Sequence, residues 1–319
     1  MQPIRWGLIG AGDIAERRVA PALAGARESW LVAVSRRRAD LADAFAQRFG
    51  ARVHADWRDL VRDAEIDAVY IATPVNLHAG MTIAAAEAGK HVLCEKPMAL
   101  TVAECDAMLR AAESAGVKLG VAYYRRLYPV VQRIARLLAE GAIGVPVLAQ
   151  ADAFGRFEPS PDFPREWLLD PAQAGGGPMM DFGCHRIEVL LSLFGEVAAV
   201  GAQRGNVVYD RAVEDTAIAT LRFPRGPMGI VTVTHAAEEP RDSLDIYGSR
   251  GSIHLESLNG EVLRLIRSGV ETRESHPHAD NAHLPLVEQF NDALRTGGEP
   301  LIDGAMGRAV NAVLETVYR

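Results

Sequence analysis

The sequence predicts an α/β protein in two parts: an N-terminal Rossmann-type, doubly wound parallel sheet, then a C-terminal α+β domain with a large, open, mostly antiparallel sheet. Three observations carry this expectation. A short apolar run, Ile4 to Ile9, leads directly into Gly10-Ala11-Gly12-Asp13-Ile14-Ala15 and then into helical composition. Apolar strands and helices then alternate up to residue 122. Past that point the alternation stops, and period-two strands follow one another. A chain of 319 residues supports two cores, divided here as 1–122 and 123–319, with the last helix able to return to the first domain.

In the opening strand, turn and helix, each glycine has a task. Gly10 permits the turn, and Gly12 lets a pyrophosphate approach backbone N–H groups at the helix start, which Asp13 and Ile14 open. Pro21 shortens or kinks that helix. Leu31 to Val34 is the second strand, whose end meets the adenosine ribose in a dinucleotide fold. There the chain reads Ser35-Arg36-Arg37-Arg38, with no carboxylate before Asp40. A hydroxyl and guanidinium forks suit a 2'-phosphate, so Ser35, Arg36 and Arg37 favour NADP, with NAD as the alternative. The competing reading is a basic helix start that touches only solvent.

Leu41 to Phe49 and Asp56 to Asp63 read as helices. Asp67 to Ala72 reads as a buried strand that ends in Thr73-Pro74-Val75-Asn76-Leu77-His78. Pro74 ends the pairing, and Thr73, Asn76 and His78 fall at the strand's carboxyl end, where nicotinamide would lie. Asn76 also suits an N-cap for a helix from Ala79 to Ala88. The next strand, Val92 to Cys94, leaves the sheet through Glu95-Lys96-Pro97. Open parallel sheets bind ligands beyond these strand ends, so Lys96 either points into the crevice or is an ordinary solvated lysine. Thr101 with Glu104 forms a capping box for a helix ending near Gly116, and Val117 to Ala122 closes the alternation.

The second domain opens on Tyr123-Tyr124-Arg125-Arg126, which either clamps a polyol or phosphate or covers a seam. A helix from Pro129 to about Glu140 and a strand from Val147 to Phe154 follow. Residues 155 to 174 are irregular and include Trp167. Gly175-Gly176-Gly177 permits close backbone approach, and Pro178 suits the first position of a helix running to about Phe194. On it Asp181 and His185 are four apart, sharing one face. A carboxylate one turn from an imidazole fixes its tautomer and tunes a proton-transfer group; the plainer alternative is a helix with a satisfied histidine.

Strands are expected at Val197–Val208, Thr216–Phe223, Gly229–Ala236, Ser243–Tyr247, Ser252–Glu256 and Glu261–Ile266. Thr and Ala on one face of Thr216–Phe223 and Ile230–His235 leave it flat and weakly polar, which suits a second subunit. His276, His278, Asp280 and His283 lack regular ligand spacing and flank Pro277, so a solvated loop rather than a metal site is expected. Leu286–Leu294 and Gly304–Val317 read as closing helices.

Composition bounds the partners. A net charge of -7 and a pI near 5.8 provide no basic field for nucleic acid or anionic lipid. No apolar run approaches the roughly 18 residues of a membrane span. Three cysteines without C-x-x-C spacing argue against a disulfide framework and a zinc site. The chain enters a strand within a few residues with no secretory pattern, so a cytoplasmic protein is expected.

Taken together, Gly10-Ala-Gly-Asp-Ile-Ala15, Ala72-Thr-Pro-Val-Asn-Leu-His78 and Glu95-Lys96-Pro97 resemble the family of glucose-fructose oxidoreductase, inositol 2-dehydrogenase and rhizopine-catabolism proteins (Gfo/Idh/MocA). The likeness spans essentially the whole chain. That family's substrate-domain motif, G-G-G-x-x-x-D-x-G-x-H, is matched position by position by Gly175-Gly-Gly-Pro-Met-Met-Asp181-Phe-Gly183-Cys-His185. The resemblance implies an NAD(P)-dependent oxidoreductase acting on a sugar, inositol or related polyol, with Lys96, Asp181 and His185 as the catalytic set. It implies dinucleotide contacts at Gly10, Gly12, Asp13, Ile14, Ser35, Arg36, Arg37, Thr73, Pro74, Asn76, His78, Glu95 and Lys96. Substrate contacts would come from Lys96, Tyr124, Arg125, Trp167, Asp181 and His185, and a homodimer or homotetramer would form through the open sheet. One departure stands out: many relatives have a basic residue after the tryptophan, where this chain has Leu168, with Arg165 as the nearby replacement. The rival reading is a non-catalytic protein of the same fold that senses cofactor or sugar.

Overall fold

The computed structural model describes residues 2–36, 39–160, 163 and 165–319. Among them, β1 (Ile4–Ile9), β2 (Ser29–Ser35), β3 (Arg52–His54), β4 (Ala68–Ile71), β5 (His91–Cys94) and β6 (Leu119–Val121) form one parallel sheet in the order β3-β2-β1-β4-β5-β6. Helices α1 (Ala20–Gly25), α2 (Ala39–Phe49), α3 (Trp57–Arg62), α4 (His78–Glu87) and α5 (Val102–Ala115) connect the strands. The strand order turns back between β1 and β4, which makes their carboxyl ends the switch point of the sheet. β4 is buried along its whole length, as expected for an unbroken apolar run covered on both faces.

Local chemistry explains the helix ends. Asp56 caps α3 by accepting from the Arg58 N–H, and Thr101 and Glu104 form the expected capping box of α5, which Gly116 ends at φ +67°. Ala15–Val19 is a wide turn in which the Ala20 N–H reaches back to the Ala15 carbonyl, and Pro21 then lies in the first turn of α1. Pro21 thus sits inside a run that is helical from Asp13 to Gly25, directly after the wide turn, and neither starts nor ends it. The expected N-cap at Asn76 falls instead on Leu77, which makes no side-chain cap.

The chain divides into two compact units, Met1–Tyr124 with Ala279–Arg308, and Arg125–His278 with Ala309–Arg319. In the first, the Trp6 indole donates to Asn291 at 3.1 Å and the Val121 N–H to the Ile302 carbonyl at 3.0 Å. The second begins with α6 (Pro129–Ala139), β7 (Pro146–Arg156), α7 (Pro171–Ala174) and α8 (Cys184–Phe194). It continues through β8 (Ala199–Gly205), β9 (Thr216–Arg222), β10 (Met228–Thr234), β11 (Ala236–Arg241), β12 (Leu244–Gly248), β13 (Gly251–Leu255), β14 (Val262–Arg267) and β15 (Val270–Ser275). The chain closes with α9 (Leu284–Thr296) and α10 (Gly304–Tyr318). The described strands order as β15-β14-β13-β12-β7-β10-β9-β8, with β11 also paired to β7; the β7–β10 pair alone is parallel.

One face of this sheet meets α8, which packs on β7 and β10. Ala149, Ala151, Ala153, Ala217 and Ala219 are buried, their small side chains letting the helix approach closely. That corrects the expectation of alanines on the open face. The outward face of β9 and β10 carries Thr216, Thr220, Thr232 and Thr234 with the exposed Ile218 and Met228. Three strands were not anticipated: β3, β11 and β15 are short or rich in charge, and β15 holds Glu271 and Arg273 at the sheet edge. No described helix is long and apolar enough to cross a membrane.

Candidate active site

In the first unit, the candidate dinucleotide end is built by β1 running into Gly10. This residue has φ +91°, and a Cβ on it would sit 2.5 Å from the Ala72 carbonyl oxygen at the end of β4. Its N–H donates to the Ser35 carbonyl at 2.9 Å, so Gly10 ties together the ends of three strands. Gly12 is different: a Cβ there would meet nothing within 4 Å. Its surroundings are open where a phosphate would need to approach. Asp13 pairs with Arg17 at 2.7 Å on the exposed first turn, beside the exposed Ile14. Ser35 is buried, Arg36 is half-buried, and Arg37 lies outside the described residues.

The turns after β4 and β5 are stitched together by His78. Its Nδ1 lies 2.9 Å from the Pro97 carbonyl and its Nε2 2.9 Å from the Thr73 carbonyl. Burial lowers the ring's pKa against the pull of both carbonyls. Thr73 and Pro74 are half-buried, and Asn76 is exposed in the Val75–Leu77 turn. Glu95 is buried; it accepts from the Tyr70 hydroxyl at 2.8 Å and lies 3.4 Å from His283 Nε2. Burial pushes its carboxyl up, but the hydrogen bond and charge of His283, the charge of Lys96 and the Tyr70 hydroxyl outweigh it and hold the pKa at about 2. A fixed carboxylate therefore precedes the half-buried Lys96, whose peptide to Pro97 is cis. Tyr124 packs its ring 4.7 Å from that of His283.

In the second unit, the triple glycine makes room for protein rather than ligand. A Cβ on Gly176 would overlap the Tyr318 ring, and one on Gly177 the Glu214 carbonyl. The buried Glu214 carboxylate accepts from the Gly177 and Met179 N–H groups at 2.8 and 3.2 Å and from the Tyr318 hydroxyl at 2.7 Å. The helix expected from Pro178 to about Phe194 is present, with a widened opening turn, Met179–Gly183, in which the Cys184 N–H reaches Met179 O, leading into α8. Asp181 lies in that turn, its Oδ2 3.6 Å from Arg165 and 4.0 Å from His235 Nε2. His185 follows on the first turn of α8 and is buried.

Two charged side chains of α8 itself, Arg186 and Glu188, are buried. Arg186 is buried and pairs with Asp242, which also accepts from Ser257 and from both nitrogens of Asn259. Asn259 in turn accepts from Arg125 Nε at 3.1 Å. Glu188 is fully buried, and burial pushes its carboxyl up to about 8 although Arg126 and Arg125 pull the other way. Trp167 is half-buried in the Glu166–Leu169 turn; Leu168 is buried there, and it is Arg165 that reaches Asp181.

Thus the first unit gathers Gly10, Ser35, Thr73, His78 and Glu95 around its strand ends, and the second places Asp181 and His185 at the start of α8. Glu214, His235 and Asp242 were not singled out by sequence, and His283, expected in a solvated loop, is buried instead. The histidine loop sorts into separate partners: His276 bonds Glu274, His278 lies on Tyr128 and bonds the Asn259 carbonyl, and His283 meets Glu95. Among the described residues no cluster of His, Cys, Asp and Glu could hold a metal ion.

Comparison with known proteins agrees with this architecture. Residues 4–123 match the oxidoreductase family with the NAD-binding Rossmann fold, and residues 131–254 match the GFO/IDH/MocA C-terminal domain. The chain is 33% identical to trans-1,2-dihydrobenzene-1,2-diol dehydrogenase of Danio rerio, over 89% of this chain and 82% of that protein. Its fold superposes on aldose-aldose oxidoreductase from Caulobacter crescentus complexed with glycerol at a TM-score of 0.91, with 28% identity, covering 100% of this chain and 97% of that one. It superposes on levoglucosan dehydrogenase in complex with NADH and levoglucosan at 0.89, with 27% identity over 99% and 98% of the two chains. The chain belongs to the Gfo/Idh/MocA family of oxidoreductases with an NAD-binding Rossmann fold.

Proposed function

We propose that this oxidoreductase moves a hydride between nicotinamide C4 and the secondary alcohol or ketone carbon of a sugar, inositol or related polyol, preferring NADP. The observation that carries the reading is the start of α8, where Asp181 lies against Arg165 and His235 and is followed four residues later by the buried His185. In this reading residues 1–122 bind the dinucleotide and residues 123–319 supply substrate and subunit contacts. His185 is the acid/base on the substrate oxygen. Asp181 orients it or binds a neighbouring hydroxyl, and Lys96 stabilises alkoxide character on the reacting oxygen. The sugars and polyols bound by the solved relatives support the substrate class.

The NADP preference rests on Ser35 and Arg36 at the end of β2, with no carboxylate before Asp40. Fluorescence titration with NADPH and NADH tests it. NADPH is expected to bind at least about tenfold more tightly, a gap of about 1.4 kcal/mol. Equal or reversed affinity would remove the preference. Binding of neither would favour a sensor of another ligand. The tighter cofactor is then used to screen polyols and their ketones for turnover.

The outward face of β9 and β10, with Ile218 and Met228 exposed among threonines, is proposed to pack on a second copy of the chain. Sedimentation should give a dimer or tetramer that Ile218→Glu shifts toward monomer. A wild-type monomer at micromolar concentration rules this out.

A further inference from the structure

We infer that His235 is a positioning residue for Asp181: Arg211 holds its ring in the Nε2–H tautomer, so that this N–H faces the Asp181 carboxylate. The inference rests on the role proposed for Asp181 in polyol turnover. His235 directly follows β10, and its side chain is 2% exposed. Arg211 Nη2 lies 3.2 Å from His235 Nδ1. A guanidinium has only donors, so Nδ1 must accept and the ring proton must sit on Nε2. That Nε2 has no hydrogen-bond partner among the described residues and stands 4.0 Å from Asp181 Oδ2.

The surroundings keep this dipole in place and make it matter. Phe182 meets the ring edge-on at 4.8 Å and Phe157 lies at 5.1 Å, so apolar walls exclude water and weaken screening. The charged groups acting on the ring are Asp181 and Asp215, which favour its protonation, and Arg211 and Arg165, which oppose it. Burial is the largest influence and holds the pKa at about 4, so His235 acts as a neutral donor near pH 7. Arg211 is itself braced: it donates to the Phe157 and Glu214 carbonyls at 3.1 and 3.0 Å. Glu214 grips the Gly177 N–H, and the Gly177 carbonyl accepts from the Asp181 N–H at 3.1 Å. One frame thus fixes both the histidine and the carboxylate it faces.

A carboxylate that loses a facing donor in a partly desolvated site binds its proton more tightly. His235→Phe, which keeps a ring but no N–H, is expected to move the acid limb of the kcat/KM profile to higher pH by about one unit, a tenfold change in proton affinity. His235→Gln, which keeps an N–H at the same reach, should return the limb to its wild-type position. A packing role alone would lower kcat/KM in both variants without moving the limb, and that result would overturn the inference. In parallel, ¹⁵N-histidine NMR of the wild-type protein at pH 7, with the His235 signals assigned by their loss in His235→Gln, should show the neutral Nε2–H tautomer. The Nδ1–H tautomer or an imidazolium would overturn it equally. The spectrum needs no turnover, so a wild-type protein inactive on every polyol would sink the proposed function and leave this test standing. If His235→Phe does not fold, the Gln profile and the wild-type spectrum decide.

Discussion

Lys96→Ala and His185→Ala are each expected to lower kcat on the best polyol by at least about a hundredfold, the lower end for general acid/base catalysis. Hydride transfer from a carbinol carbon leaves its oxygen needing to lose a proton, and the reverse reaction needs one supplied. His185 is buried at the start of α8, where an imidazole can hold that proton. Lys96 follows Glu95, whose carboxylate stays ionised with a pKa at about 2, and a cation there lowers the cost of oxyanion character. For His185→Ala the loss should therefore fall on kcat rather than on the dissociation constant for NADPH, which fluorescence titration reads separately. Lys96→Ala, at a residue also expected to contact the dinucleotide, should lower kcat and weaken NADPH binding as well. Alanine at His185 also opens a cavity, so His185→Gln, with nearly the same volume, should show the same kcat loss at wild-type Tm. Wild-type turnover in both Lys96→Ala and His185→Gln would remove the assignment of both residues.

Gly10→Ala and Gly12→Ala should separate two roles that the glycine pattern merges. At Gly10 a Cβ meets the Ala72 carbonyl at 2.5 Å and Thr73 Cγ2 at 2.9 Å, at a φ of +91°. Backbone cannot yield there cheaply, so overpacking of about 1–3 kcal/mol adds to about 1–2 kcal/mol of backbone strain. The expected result is a Tm lower by about 5 °C or more, together with loss of dinucleotide binding. At Gly12 a Cβ meets nothing within 4 Å, so the Tm should stay at the wild-type value. Its methyl group would instead occupy the approach of the pyrophosphate, and affinity for the dinucleotide should fall at least about tenfold. A Gly12→Ala protein that binds NADPH like the wild type would show that the phosphates pass elsewhere.

Signals that act over a few residues could be read directly. The strand, turn and helix around Gly10 and Gly12 and the capping box of Thr101 and Glu104 depend on neighbours within one turn. Period-two burial in β9 and β10 was legible for the same reason. Strands β3, β11 and β15 were not, because three residues, or a run such as Glu238-Glu239-Pro240, carry no apolar period. Their pairing partners supply the order that their own composition does not. The triple glycine was legible as a site of close approach, but not that Tyr318 and the Glu214 carbonyl are what approach.

By itself the sequence determined the fold class, the two glycine-rich motifs, the strand end that carries Lys96 and the helix start that carries Asp181 and His185. Each of these follows from backbone conformation and periodicity, which neighbouring residues impose. Only the tertiary structure decided which groups surround them: Glu95 meets His283 across 188 residues of sequence, Trp6 meets Asn291 across 285, and Asp181 meets His235 and Arg165. The physical reason is that burial and charge act through space. Whether a carboxylate stays ionised, or which nitrogen of an imidazole holds its proton, depends on groups whose nearness the order of the chain does not record.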